Sequence, residues 1–286
     1  MSGTDECLAK VQALIEKQLQ LLNLSLFVCD KGSADFEDEE LACSLSEKVR
    51  AAVVPMSLAA GQSVGTVLQY VQRRGIPVRD CFPVARSAVE TFVNASYVLA
   101  GGEPVAERAI RHAQHKLYRD LDRSVGRGEY KIQITASPMP NIKDQGELKT
   151  ALEEFTTTRG REKNWTDDSV PMRIEKVGKV LGVVPASGLL GAYALIYGDA
   201  SEIIHGSLFG IQLFYHGRTK SPENVEDFRA LTAEHLEGIF FAVFLALNSY
   251  LRAFSISQKL SVLDRRLEGI FDEFMQAIRN SDGKGV

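Results

Sequence analysis

Apolar residues recur at helical spacing through most of this 286-residue chain. The period is clearest over 8–26 and again over 263–278, at Leu8, Val11, Ile15, Leu22 and Leu26 and at Leu263, Leu267, Ile270, Phe271, Phe274 and Ile278. Residues three or four apart lie on one face of a helix, so each segment presents an apolar stripe that other helices must cover. The sequence therefore predicts an all-α, multi-helix bundle, with one irregular loop or short hairpin near 129–146 as the exception.

Capping residues, glycines and prolines divide the rest of the chain into further helices. The acidic run 35–40 favours the start of a second helix, which runs toward Arg74 with Pro55 and Gly61 kinking or dividing it. The next helix ends at Gly101 and Gly102. A turn is expected over 75–77, and the remaining helical segments at about 104–126, 147–158, 169–181, 185–215 and 222–254. Tyr130–Thr135 alternates as a short strand does.

The same pattern suggests how the chain is organised. We expect an N-terminal helical extension over 1–75, packed on a helical core domain over 76–256. A C-terminal amphipathic helix over 257–280 follows, and 281–286 is expected to be a disordered tail.

Composition favours a soluble protein with a large core, since 45% of the residues are hydrophobic and 24% are charged. The net charge of −4 argues against a dedicated high-affinity nucleic-acid surface but allows a local basic patch. Four cysteines, all in the first third of the chain, share no metal-ligand or redox spacing, which is typical of reduced thiols in a cytoplasmic protein: Cys7, Cys29, Cys43 and Cys81.

Neither the first residues of the chain nor its most apolar segment indicates a membrane protein. Residues 1–9 carry two acids and no apolar segment, so no signal peptide is expected. The most apolar segment, 238–251, lies between Glu237 and Arg252 and contains Asn248, which makes it short for a bilayer. We interpret it as a buried central helix and predict a cytoplasmic protein without a membrane partner.

The most informative polar pattern is the stripe Tyr193, Tyr197, Ser201 and His205, at four-residue spacing in an apolar segment. Inside a helix these side chains share one side and need polar partners from elsewhere in the fold. Arg86 and Glu90 are the natural partners, because they lie one turn apart on another apolar helix.

Two interpretations of this pattern stay open. In the first, the stripe is a catalytic site: His205 is the general acid or base and Arg86 stabilises anionic charge, with Glu90, Ser201 and Tyr197 around them. In the second, Arg86 and Glu90 form a structural ion pair, and Ser201 and His205 hydrogen-bond across to it.

A second candidate cluster lies on the helix that begins near Pro104. Arg108, Arg111 and His115 crowd neighbouring faces of that helix, together with His112. Arginine and histidine suit phosphate binding and metal-independent RNA cleavage. The alternative is a solvated polar face opposite an apolar stripe that runs from Ile110 to Leu117.

Metal and cofactor motifs are sparse. Glu202 and His205 form a Glu-x-x-His element, but the second element that a di-iron bundle requires is missing. His112 and His115 have a possible ligand spacing. Glycine-rich phosphate loops and Gly-x-Ser-x-Gly turns do not occur, and the single tryptophan, Trp165, is expected to be a packing anchor. We therefore predict no metal and no cofactor.

The order Arg86-x-x-x-Glu90, Trp165, Tyr197-x-x-x-Ser201-x-x-x-His205 resembles a largely uncharacterised bacterial family of helical domains of unknown function. The resemblance covers about residues 40–255 and implies an all-helical fold without an established activity.

A looser similarity is to HEPN domains, helical nucleotide-binding bundles that often act as RNases in toxin and phage-defence systems. Their signature is an arginine followed, after four to six residues, by a histidine. Arg108 and His115 meet that spacing, although Ala109 stands where those domains carry a polar residue.

Two functions follow as hypotheses. The first is a HEPN-like, metal-independent endoribonuclease or nucleotide-binding protein of a toxin or phage-defence system, with RNA or a nucleotide as its partner. The second is a non-enzymatic helical binding or scaffold protein in which the polar stripe is structural. A homodimer through the C-terminal helices is compatible with either.

Overall fold

The computed structural model describes residues 3–71, 77–135 and 146–282. Within these ranges the helices are α1 (Gly3–Lys31), α2 (Glu47–Val71), α3 (Pro77–Asp120), α4 (Gly146–Phe155), α5 (Val170–Leu181), α6 (Val183–Ile204), α7 (Leu208–His216), α8 (Val225–Gln258) and α9 (Ser261–Asp282). Two antiparallel hairpins complete the described chain: β1 (Ser33–Phe36) with β2 (Glu39–Ala42), and β3 (Asp122–Arg127) with β4 (Tyr130–Thr135). The predicted all-α fold is confirmed.

Helix α8 is the centre of the core. The segment 238–251 lies inside it and is almost entirely buried, as its composition predicts. Helices α1, α3, α6 and α9 all pack against α8, and the apolar face of α9 is covered by its own chain. Helices α3 and α6, which carry the polar residues, also contact each other. Since both pack on α8, the central helix fixes their relative position.

The acidic run 35–40 is not a helix start, so that prediction is wrong. It forms the first hairpin, and its turn places Glu37 and Asp38 at φ 49° and 62°. Two consecutive left-handed residues match the twist of a two-residue hairpin. Helix α2 then begins at Glu47 and continues through Pro55.

Helix α3 contains the predicted break between two helices. Gly102 has φ 64° and ψ −152°, a conformation that separates the helical turns before and after it. The second part ends at Asp120, earlier than expected, because 122–127 pair with the predicted strand 130–135. The predicted apolar face of this helix is wrong at Leu117, whose side chain is 71% exposed.

The polar stripe lies on α6, which is shorter than expected. Gly206, at φ 62°, ends that helix, and α7 starts at Leu208 with Ser207 as its N-cap. His205 is therefore the C-cap residue of α6 rather than an interior residue.

Three predictions fall partly on residues outside the described ranges. The expected turn over 75–77 includes 75 and 76, the expected loop near 129–146 includes 136–145, and the expected tail includes 283–286. The division into an extension, a core domain and a C-terminal helix stays a prediction, although one apolar cluster takes residues from α1, α2, α3, α5, α6, α8 and α9.

Three helices are long and apolar enough to cross a membrane by length and composition: Glu47–Tyr70, Val183–Ile204 and Val225–Gln258. The last of these is the central core helix, with 78% of its most apolar window buried, whereas α6 has only 28% buried. The cytoplasmic localisation stays a prediction.

Gly210 tests the close contact between α7 and the end of α6. A Cβ atom there would lie 2.6 Å from the backbone carbonyl of Glu202, where flexible side chains cannot absorb the overlap. We expect Gly210→Ala to lower the free energy of unfolding by about 1–3 kcal/mol. The matched control is Gly269→Ala, on the exposed face of α9 with nothing within 4 Å, which should raise it by up to about 1 kcal/mol. Chemical denaturation measures both, and equal effects would contradict the contact.

Candidate functional site

The four stripe residues differ in exposure because of the geometry of α6. Tyr193, Tyr197 and Ser201 are half-buried, whereas His205 is exposed. Four residues at 3.6 per turn advance by one turn plus about 40°, so each step of the stripe rotates away from the core. The stripe starts against the protein and ends at a histidine that solvent reaches.

Arg86 and Glu90 pack against the first half of the stripe. The Nε–H of Arg86 donates to Glu90 Oε1 at 2.7 Å, with the two side chains 18% and 32% exposed. The guanidinium carbon of Arg86 lies 4.2 Å from the centroid of the Tyr197 ring, a cation–π contact. Within the described ranges, no hydrogen bond engages the terminal nitrogens of Arg86, so they are available to a ligand.

The two tyrosines of α6 contact each other. Their ring centroids are 4.4 Å apart and the planes are tilted by 32°. Burial, followed by the neighbouring Tyr197, raises the pKa of the Tyr193 hydroxyl. The Tyr193 phenol is therefore neutral near pH 7, and both tyrosines carry their hydroxyl groups close to the arginine.

Arg173, on α5, joins this group, and the sequence analysis missed it. Its Nη1 donates to Asn94 Oδ1, and its guanidinium lies 5.9 Å from the Trp165 ring. Burial lowers the pKa of Arg173, which Glu90 and Tyr193 partly offset. Its Nε–H is buried without a hydrogen-bond partner among the described residues. No local pattern marks Arg173, since only the packing of α5 on α3 brings it here.

A hydrogen-bond network around the Asp168 carboxylate lies near Arg173. Tyr97 donates its hydroxyl to Asp168 Oδ2 at 2.7 Å, and Lys176 donates to the same oxygen at 2.5 Å. These hydrogen bonds, that of Lys176 first, lower the pKa of Asp168. Trp165 packs edge-on against Tyr97, with the ring centroids 5.7 Å apart, as expected of a packing anchor.

The predicted residues are thus brought together only in part. Arg86, Glu90 and Tyr197 are in contact, but no described hydrogen bond or ion pair joins Ser201 or His205 to Arg86 or Glu90. The eight residue-to-residue steps from Tyr197 to His205 span about 12 Å along the helix axis. A ligand that touches both Tyr197 and His205 must have about that length.

The arginines of the second candidate cluster are held by an ion pair and a hydrogen bond within the protein. Arg111 pairs with Glu154 at 2.8 Å, and Arg108 donates its Nε–H to the carbonyl oxygen of Trp165 at 2.7 Å. His115 is fully buried, and this burial, followed by Arg119, lowers its pKa. The expected solvated face is wrong at His115, since this side of the helix packs on α4 and the segment after it.

The buried position of His115 bears on the HEPN-like pair. Its Nε2 lies 3.3 Å from Thr156 Oγ1, inside the protein. An RNA strand would have to displace that segment to reach the ring. The exposed His205 is the better placed of the two histidines for a large substrate.

Comparisons with known proteins concern the region that contains both clusters. A family model described as "Family of unknown function (DUF5677)" matches residues 68–224, which is more than half of the chain. Searches of curated proteins and of solved structures find no match. The matched range covers Arg86, Glu90, Trp165, Arg173 and the whole stripe. It brings no activity and does not extend the similarity to HEPN domains.

Asp168 gives a pH-dependent test of the network around Arg173. Because its pKa is lowered in the fold, ionised Asp168 stabilises the protein above the ordinary carboxyl pKa of about 4. That contribution is lost as the pH falls through the lowered pKa. We expect Asp168→Asn to cost about 1–3 kcal/mol at pH 7 and to approach the wild type in acid.

The control is Asp167→Asn, at the exposed neighbouring carboxylate, which should change stability little at any pH. Urea denaturation between pH 7 and pH 3 measures the difference. A destabilisation by Asp168→Asn that is constant over this range would contradict the lowered pKa.

Proposed function

Because the chain belongs to the DUF5677 family, a family of unknown function, we infer its function from the site itself and propose that it binds and cleaves RNA without a metal ion. The observation that carries the proposal is that the stripe starts beside a half-buried arginine, Arg86 of α3, and ends at an exposed histidine, His205. Among the described residues, none forms a hydrogen bond with the terminal nitrogens of Arg86, and His205 is open to solvent.

The basic end of the stripe suits a phosphate group. Arg86 is paired with Glu90, and Arg173 interacts electrostatically with the same Glu90 and with Tyr193, so positive charge from two helices acts on this end of the stripe. Guanidinium groups bind phosphate oxygens through paired hydrogen bonds, and partial burial strengthens these bonds. Tyr193 and Tyr197 add hydroxyl donors and aromatic surface for a base or sugar.

The length of the stripe favours a strand over a mononucleotide. About 12 Å of helix separate Tyr197 from His205, more than a single phosphate group spans. We therefore assign Arg86 and Arg173 to a phosphate near the one being cleaved, where they hold the strand. This assignment differs from the expectation that Arg86 stabilises charge at the reacting phosphorus.

His205 then supplies the proton transfer. Its imidazole accepts the proton of a ribose 2′-hydroxyl, whose oxygen attacks the adjacent phosphorus and forms a 2′,3′-cyclic phosphate. The bond to the 5′-oxygen breaks, this oxygen takes up a proton from water, and the imidazolium then returns its proton to solvent. Ser201 stands one turn before His205 and is half-exposed, so its hydroxyl is placed to donate to a phosphate oxygen. A 2′-hydroxyl is needed, which restricts cleavage to RNA.

The wider expectations remain proposals alongside this one. The similarity to HEPN domains suggests a role in a toxin or phage-defence system, acting on RNA in the cytoplasm. The homodimer through the C-terminal helices is less well supported, because α9 turns Leu263, Leu267 and Phe274 into its own core.

A second function is supported by an apolar surface on α6 and α7. Large apolar side chains are exposed along both helices: Val183, Val184, Leu190, Leu195, Ile204, Leu208, Phe209 and Ile211. Val183 and Leu208 are 72% and 70% exposed. An exposed apolar surface of this kind is typical of protein association. This favours a non-enzymatic helical binding protein in which the polar stripe borders the interface.

Cleavage of RNA by purified protein separates the two functions. Wild-type protein in EDTA is incubated with total RNA, and we expect cleavage that falls by about 100-fold or more in His205→Ala, the usual contribution of a general acid or base. The control is His216→Ala, at an exposed histidine at the end of α7, which should cleave like the wild type.

Two outcomes would count against the RNase. One is undiminished cleavage by His205→Ala, which would point to a contaminating nuclease or another site. The other is the absence of both cleavage and RNA binding in the wild type.

The binding-protein alternative is tested by self-association. If the α6–α7 surface joins two copies, Leu208→Glu should shift sedimentation from dimer to monomer. The control is Leu117→Glu on α3, an equally exposed leucine outside this surface, which should leave it unchanged. A monomeric wild type would exclude this form of the alternative.

A further inference from the structure

Three metal-ligating side chains converge between the second half of α3 and the segment that follows α4. His112 and His115 lie one turn apart on α3, and Glu162 comes from the segment 156–163. A ring nitrogen of each histidine and a carboxylate oxygen of Glu162 all lie within 4.8 Å of one another. None of the three belongs to the Arg86–His205 stripe.

The backbone places Glu162 firmly. Lys163 donates its amide N–H to the Phe155 carbonyl oxygen at 2.8 Å, and Thr157 donates to the Arg161 carbonyl oxygen at 2.7 Å. A β-bridge also pairs Thr156 with Glu162. These contacts form a tight turn that points the carboxylate toward α3.

The distances suit a tetrahedral ion after small side-chain movements. Zinc–ligand bonds of 2.0–2.1 Å place two neighbouring ligand atoms about 3.3 Å apart. His112 Nε2 already lies 3.4 Å from Glu162 Oε1. The remaining separations, up to 4.8 Å, close by rotation of the carboxylate and one imidazole.

The hydrogen bonds of the histidines leave a lone pair for an ion. His115 is fully buried, and its Nε2 lies 3.3 Å from Thr156 Oγ1. When Nε2 donates to that hydroxyl, Nδ1 keeps its lone pair, and Nδ1 is buried without a partner among the described residues. His112 Nε2 is buried and unsatisfied in the same way. A metal ligand held by a hydrogen bond from its other ring nitrogen is the usual arrangement at metal sites.

Cations next to the site oppose an ion. Lys116 Nζ lies 2.6 Å from Glu162 Oε1, and its side chain is 51% exposed. An incoming cation must displace this ammonium group, which can swing into solvent. Arg119 also lies nearby, with Nη1 buried and unpartnered in the described part of the chain. Lys116 is therefore a competitor whose removal should strengthen binding.

We propose that His112, His115 and Glu162 form a Zn²⁺ site that fastens the segment 156–163 to α3. Two imidazoles and a carboxylate suit zinc, whereas magnesium and calcium prefer oxygen ligands. Three protein ligands leave a fourth position for water. The sequence predicted no metal here because Glu162 lies fifty residues beyond His112, in a turn that only the fold brings back.

Direct titration of the full-length chain tests the site. Protein stripped with a chelator and dialysed is titrated with Zn²⁺ against a chromophoric chelator. We expect one equivalent to bind, an affinity at least ten-fold lower in Glu162→Gln and in His112→Ala, and a higher affinity in Lys116→Gln. His216→Ala, which changes an exposed histidine on α7, is the control and should bind like the wild type.

Thermal stability gives a second readout that does not depend on RNA cleavage. Zn²⁺ should raise the Tm of the wild type but not that of Glu162→Gln, a variant of nearly the same shape that should keep the fold. The absence of binding in the wild type would overturn the proposal. So would binding that is unchanged in both ligand variants, which would place the ion elsewhere, for example at Cys29 and Cys43, whose sulfur atoms are 3.6 Å apart.

Discussion

The rest of the structure depends on the burial of α8 between α3 and α6. These two helices carry every residue of the polar stripe and its first partners, and the central helix sets their separation. The contact between α6 and α8 is very close at Gly188, where a Cβ atom would lie 2.0 Å from Ser249 Oγ. Even an alanine at this position would force the Ser249 hydroxyl into another rotamer.

This packing explains why one stripe can be both core and surface. Near its start, the stripe is enclosed by α3 and α5, which supply Arg86, Glu90 and Arg173. Each four-residue step then rotates outward by about 40°, until His205 faces solvent at the end of α6. The four residues of the stripe therefore need not share one role, and some can be structural while others are functional. Tyr193 and Tyr197 pack between the helices, whereas His205 is exposed to solvent.

Local patterns predicted most helices and the Tyr130–Thr135 strand, because apolar periodicity and glycine breaks act over short distances. They failed at 35–40, where acidic residues favour a helix start but two of them adopt left-handed turn conformations. Local patterns were also wrong about the exposure of Leu117 and the burial of His115. Their helix has polar residues on two faces, so the sequence does not show which face packs on α4.

The sites were harder to predict than the fold, because local sequence patterns do not show which distant residues pack together. Arg86, Glu90 and Tyr197 could be paired from sequence because they are rare polar residues on apolar helices. Arg173 and Glu162 could not, because each lies in an ordinary polar context and reaches its cluster through tertiary packing. In this protein, residue spacing predicts one partner of a polar side chain, whereas the others are seen only in the folded structure.

The central claim is that a strand of RNA lies along α6 from the arginines to His205. The most direct measurement is the affinity of His205→Ala, the variant expected to lose cleavage, for RNA of one to six nucleotides, with and without Arg86→Gln. We expect the affinity to rise steeply once the strand spans about 12 Å, and Arg86→Gln to remove most of that rise. Equal affinity for a mononucleotide and a hexanucleotide, or a rise that is unchanged by Arg86→Gln, would contradict it.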